Sequence, residues 1–223
     1  IGGFQGRKPS PTLYVRWAQW GLLSPLSRCH GVTPREPWEY GEEALRIFTE
    51  YARLRYSLLP YIHSYAKIAS RTGLPLVRPL ILEYQDDPEV RKLDLQYLLG
   101  ESILIVPVFD EEGSVSYYVP KGEWVDFWSQ KRVEGGRWMR EKLPLDKIPI
   151  LIKQNSLIPR VDPLNHTGEK PVTEVKLDVW LRDKAILDYC FDGEAFAIEA
   201  SGTGEKTVLT LGPSRKSWTL LLH

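Results

Sequence analysis

Cysteine is scarce: Cys29 and Cys190 are the only two in 223 residues, and they do not form a CxxC pair. Neither a disulfide framework nor a zinc ribbon is suggested, and a cytoplasmic protein is the default expectation. An excess of one charge is also missing, since 29 Lys and Arg balance 29 Asp and Glu. Without a basic face there is no basis for expecting nucleic acid or an anionic lipid surface as a partner. Every apolar run is interrupted by charge or proline well short of the roughly 20 residues a bilayer requires, which argues against membrane insertion. No GxGxxG, P-loop, HExxH or GxSxG occurs, so nucleotide, zinc-protease and serine-hydrolase chemistry lose their usual support. The chain opens Ile1-Gly2-Gly3-Phe4, with neither an initiator methionine nor a charged and then apolar leader, so any export signal would lie upstream.

Aromatics are plentiful by contrast. Eight Trp and eleven Tyr are more than a plain core needs, and they suit either packing between domains or stacking on sugar faces. Residues 11–23 place Leu13, Val15, Trp17, Trp20 and Leu23 on a mixed pattern that predicts a short helix with Pro11 near its start. Ser24–Gly31 is too short and too punctuated for a helix and reads as an extended piece entering a loop. From Glu42 to about Ser70, apolar residues recur at three- and four-residue steps, predicting a long amphipathic helix that Pro60 divides near Leu59 and Gly73 ends. Beyond Gly100 the texture becomes short apolar runs, among them Ile103–Phe109, Val115–Val119, Ile148–Ile152 and Val175–Trp180. Their spacing and alternation predict antiparallel sheets in a sandwich, with the change of texture at residues 75–100 and a surface loop at Val161–Pro171.

Arg28 and His30, two apart at the end of the extended piece, are expected to point to one side. Both can donate hydrogen bonds to a polyhydroxylated ligand, or serve only as satisfied loop residues. In Ile1–Phe4, paired glycines allow close backbone approach and the aromatic is suited to lining a cleft. The acidic clusters read as helix starts: Glu42 and Glu43 favour a helix N-terminus, and Asp87 before Pro88 resembles an N-cap.

The segments IGGFQG, LYVRWAQWGLLSPLSRCHG, REPWEYGEEA, LRYSLLPYIHSYA, VRPLILEYQDDPE, QYLLGESILIVPVF and KGEWVDFW follow one another in an order that resembles glycoside hydrolase family 31. The resemblance covers residues 1 to about 160. It implies the end of a (β/α)8 TIM barrel over residues 1–74, followed by a β-sandwich over 75–223, with Ile1–Phe4 after the seventh strand, Leu26–Gly31 as the eighth strand and its loop, and Glu42–Ser70 as the last barrel helix. It further implies a retaining α-glycosidase using an aspartate nucleophile and an aspartate acid/base, both upstream of Ile1, so no catalytic residue is expected in this chain. Substrate-binding roles carry over to His30, Arg28 and Phe4. His30 is expected to bind sugar hydroxyls, Arg28 to order the loop and pair with active-site carboxylates, and Phe4 to stand near the cleft.

No metal or organic cofactor is implied. The expected partners are an α-linked oligosaccharide and the missing N-terminal barrel portion. The Ser-Arg-x-His-Gly wording and Gly135–Lys142 resemble members acting on α-xylosides, while REPW-x-x-GEE resembles α-glucosidases; the balance favours xylose. The chain alone is expected to be inactive, and the competing readings are a non-catalytic carbohydrate-binding or assembly module and an inactive gene fragment.

Overall fold

The computed structural model describes residues 1–203 and 206–223. Three helices come first: α1 (Pro11–Leu22), α2 (Glu42–Ser57) and α3 (Leu59–Thr72). Fourteen strands follow: β1 (Val77–Arg78), β2 (Tyr97–Leu99), β3 (Ile103–Ile105), β4 (Ser114–Val119), β5 (Glu123–Asp126), β6 (Arg132–Glu134), β7 (Arg137–Lys142), β8 (Ile150–Lys153), β9 (Ser156–Arg160), β10 (Glu174–Trp180), β11 (Lys184–Phe191), β12 (Glu194–Thr203), β13 (Lys206–Leu211) and β14 (Ser217–Leu222).

The divided helix forms as the sequence predicts. Pro60 has no N–H to continue α2, so the chain steps through Leu58 and restarts with proline in the first turn of α3. Gly73, at φ +78°, closes α3 with its N–H bonded to the Ala69 carbonyl at 2.9 Å. The mixed apolar pattern of α1 is divided between two faces. Tyr14, Val15, Ala18 and Leu22 turn inward, whereas Leu13 and Trp20 are 46% and 43% exposed. Leu13, Trp17 and Trp20 instead line a 250 Å³ groove with Phe109, so α1 carries a second apolar face.

A six-stranded sheet, in the order β1-β2-β3-β8-β5-β6, is covered on both sides. Leu99, Ile103, Ile105, Ile150 and Ile152 join the core built with the helices, while Leu98, Leu104 and Leu151 face a second core with Tyr117, Tyr118 and Val119 of the β4–β7 ribbon. Double coverage explains why these strands read as continuous apolar runs rather than as alternation. Two three-stranded sheets, β14-β10-β9 and β11-β12-β13, complete the chain. There alternation returns: Ala185, Leu187 and Tyr189 of β11 point inward between exposed neighbours. Helix α3 lies along β11, where Ser64 Oγ accepts from the Cys190 N–H at 2.9 Å and His63 Nδ1 lies 2.7 Å from the Cys190 carbonyl, so helix side chains satisfy the outer edge of that strand.

Two expectations need correction. The sheets are not wholly antiparallel, because β14 runs parallel to β10. Leu26–Gly31 forms no strand; it is irregular, because no neighbouring strand among the described residues pairs with it. Asp87 does cap a turn, accepting from the Glu89 N–H at 3.1 Å, but the turn is a short 3-10 segment, Pro88–Lys92.

Candidate functional site

The segments carrying Phe4 and His30 are laced together from beneath. Ser10 caps α1 by accepting from the Leu13 N–H at 3.2 Å, and one turn later Tyr14 is fully buried and stacked on Tyr40 at 3.8 Å between ring centroids. Its hydroxyl donates to the Arg35 carbonyl at 2.7 Å and lies 3.6 Å from Cys29 Sγ. Burial, and then the hydrogen bond with Cys29, push the Tyr14 phenol well above its ordinary pKa and keep it a protonated donor.

Arg35, 2% exposed, reaches back under the chain start. Its Nε donates to the Gly2 and Gly3 carbonyls, both at 2.9 Å, and its Nη1 donates to the Thr33 carbonyl, the Pro34 carbonyl and Thr33 Oγ1. Glycine is required on both sides of this clasp. Gly2 sits at φ +82°, where a Cβ would come 2.6 Å from Arg35 Cδ, and a Cβ on Gly31 would come 2.8 Å from the Gly3 carbonyl oxygen. The Val32 N–H donates to the Phe4 carbonyl at 2.9 Å, and the Ile1 amino group donates to the Arg28 carbonyl at 2.8 Å.

The result is a small two-part wall. The Phe4 and His30 rings lie 5.2 Å apart at 32°, Phe4 is 51% exposed, and His30 faces solvent. Arg28 is exposed as well, and its side chain has no polar partner among the described residues. Cys29 turns inward between Arg28 and His30, which matches the two-residue periodicity read from the sequence. The structure therefore brings Phe4 and His30 together, whereas the hydrogen bonds that order the loop come from Arg35 rather than from Arg28.

A second arginine works in the same way: Arg55 of α2 donates to the carbonyls of Leu22, Ser24 and Pro25, fixing the stretch that leads into Arg28. Neither Arg35 nor Arg55 was singled out by sequence reasoning. Both bind main-chain carbonyls of distant segments, and nothing in local spacing reports such a contact; the one available signal was the polar Arg35 immediately after Pro34 in a loop.

An aromatic face beside an imidazole that can donate or accept is suited to a neutral, hydroxyl-rich ligand, with the ring against C–H groups and the imidazole on an O–H. The acidic clusters lie elsewhere. Glu42 and Glu43 begin α2, Asp87 Oδ2 accepts from the buried Tyr118 hydroxyl at 2.8 Å, and Glu89 accepts from Trp138 Nε1 at 2.9 Å. Among the described residues no group of three or more His, Cys, Asp or Glu is placed to hold a metal ion, and no helix is long and apolar enough to cross a membrane.

Comparison with known proteins identifies the family. Two models of one family match, the glycosyl hydrolases family 31 TIM-barrel domain at residues 1–65 and the glycosyl hydrolase family 31 C-terminal domain at residues 73–158. The chain belongs to glycosyl hydrolase family 31, matching its C-terminal portion. An α-xylosidase of Emericella nidulans is 41% identical over 77% of this chain and 22% of its own length. Alpha-glucosidase 2 of Bacillus thermoamyloliquefaciens is 35% identical over 89% of this chain and 26% of its own. A family 31 dextranase of Flavobacterium johnsoniae, solved with isomaltotriose, superposes with a TM-score of 0.88 at 32% identity, over 96% of this chain and 30% of that one. The chain spans about a fifth to a third of the length of the curated relatives it matches.

Proposed function

We propose that this chain is the C-terminal segment of a retaining α-glycosidase that removes terminal non-reducing α-linked xylose, or alternatively glucose, from oligosaccharides. In this reading residues 1–74 complete a (β/α)8 barrel and residues 75–223 form the sandwich behind it. The observation that carries the reading is the Phe4–His30 wall, held at an open face where the irregular segments 1–4 and 26–30 end. His30 hydrogen-bonds hydroxyls of the sugar whose bond is cleaved, Phe4 covers one edge of that sugar, and Arg28 turns toward carboxylates contributed by the preceding polypeptide.

The nucleophile and the acid/base aspartate belong to that preceding portion, which is the partner this chain requires. A family enzyme with this mechanism needs two carboxyl groups about 5–5.5 Å apart across the sugar. Asp87 and Glu89 are held by Tyr118 and Trp138 and do not supply such a pair beside His30. The similarity to an α-xylosidase at 41% and to an α-glucosidase at 35% supports the α-glycosidase class, and the Ser27-Arg28-Cys29-His30-Gly31 wording favours xylose.

The test is hydrolysis of p-nitrophenyl α-xyloside and α-glucoside by the chain alone and by the chain assembled with the preceding barrel portion. Turnover only in the assembly, faster on the xyloside and lost on His30→Ala, is the expected result. Hydrolysis by the rigorously purified chain would place a carboxylate pair within it and overturn the assignment.

A further inference from the structure

Resting on that reading of the site, we propose that Arg35 is the positioning residue of the sugar wall: its guanidinium fixes the relative placement of Phe4 and His30, and so the geometry offered to the sugar. The two rings belong to segments 26 residues apart, and their common frame is the clasp of Arg35 on the Gly2 and Gly3 carbonyls at 2.9 Å each, with Val32 bonded back to the Phe4 carbonyl. Arg35 is itself immobilised from three sides. Tyr14 donates to its carbonyl, Thr33 and Pro34 accept from Nη1, and its aliphatic stem fills the space where Gly2 and Gly31 lack side chains.

The arrangement uses what a planar, forked donor offers and a lysine does not, namely several N–H groups in fixed directions toward several carbonyls. Within the described residues Arg35 forms no ion pair with a carboxylate, and its Nη2 is buried without a hydrogen-bond partner. A fully buried cation committed to main-chain carbonyls of the site loops is poorly explained as a surface-type stabilising pair. Its contacts run to the segments that carry the two candidate sugar-binding residues.

Two arms test this. In the enzyme assembled with the preceding barrel portion, Arg35→Lys is expected to lower kcat/KM roughly 100-fold, as displacement of a site by about 1 Å does. Guanidinium ion should partly restore Arg35→Ala and leave His30→Ala unaffected. Gly31→Ala keeps the arginine but places a Cβ 2.8 Å from the Gly3 carbonyl oxygen and 3.0 Å from Arg35 Nε, forcing the clasp apart; it is expected to reproduce the Arg35→Lys loss and decides the matter where the arginine variants fold poorly. The second arm needs no turnover. With its centroid 5.2 Å away, the Phe4 ring is expected to shift the His30 ring resonance in the labelled protein, and Phe4→Leu to give the value without that shift. Arg35→Lys is expected to move the His30 resonance toward the Phe4→Leu value. Unchanged His30 resonances with kcat/KM within threefold of wild type would overturn the role of Arg35, while a wild-type assembly inactive on both glycosides would overturn the functional reading and leave the resonance arm to judge Arg35.

Discussion

The open wall at Phe4 and His30 and the doubly covered sheet from β1 to β8 solve opposite problems. In the sheet, Leu98, Leu99, Leu104 and Ile105 are fully buried, and alternate residues serve two different cores, so the central strands β2, β3 and β8 have no face left to offer. At the wall, side chains are left in solvent while main-chain carbonyls are tied down by the buried Arg35 and the half-buried Arg55. Rigidity in the sheet comes from side-chain packing, and rigidity at the wall comes from hydrogen bonds to the backbone beneath it. Side chains at the wall are thereby free to meet a ligand without having to hold the fold.

This contrast breaks if substitutions at the wall destabilise the protein or substitutions in the sheet leave it untouched. The largest expected effect is on activity: in the assembled enzyme His30→Ala should lose about 10²–10³-fold in kcat/KM, the scale of one lost transition-state hydrogen bond, with an unchanged melting temperature. A parallel fall in melting temperature would make His30 part of the fold instead. Next, Gly100→Ala should destabilise by about 2–4 kcal/mol in chemical denaturation. Gly100 adopts φ +63°, and a Cβ there would meet Tyr61 Oη at 2.3 Å, displacing the tyrosine that donates to the Leu99 carbonyl at 2.8 Å.

A smaller effect is expected in the C-terminal sheets. Glu194 accepts from the Arg215 N–H at 2.7 Å and the Ser214 hydroxyl at 2.8 Å, with Lys216 Nζ at 3.9 Å. Desolvation raises its carboxyl, but these donors and the nearby cations outweigh it and hold the group below its ordinary value. Because the folded pKa is depressed, the stabilisation is present above the unfolded carboxylate value and is lost as pH falls through the folded one. Glu194→Gln should therefore cost about 1–2 kcal/mol at pH 7, and the gap from wild type should close on acidification in paired thermal melts. A gap independent of pH would remove the charge from the explanation. The smallest effect sharpens the comparison: Leu26, 90% exposed at the wall, should tolerate serine within about 0.5 kcal/mol.

Much of the fold was legible because it rests on local rules. The break at Pro60, the stop at Gly73 and the inward alternation of Val175, Leu177 and Val179 follow from a missing N–H, a left-handed backbone and the pleat of a strand. The inward face of α1 was not legible, since Leu13 and Trp20 are apolar yet half exposed, and periodicity does not say which of two apolar stripes meets the core. The parallel pairing of β14 with β10 was hidden for a related reason, because partners 43 residues apart leave no mark on local spacing. The site divides in the same way. Phe4, Arg28 and His30 were named as candidates by motif and by type, whereas Arg35 and Arg55 act on carbonyls that have no sequence signature.

The sequence by itself determined the helices, half of the strands and the family resemblance, because propensity, periodicity and motif order are properties of the chain read in one dimension. Only the tertiary structure decided that Phe4 and His30 stand 5.2 Å apart and that Arg35 holds them there. A hydrogen bond from a side chain to a distant carbonyl depends on where the folded backbone passes, and no residue type at position 2 or 3 announces it.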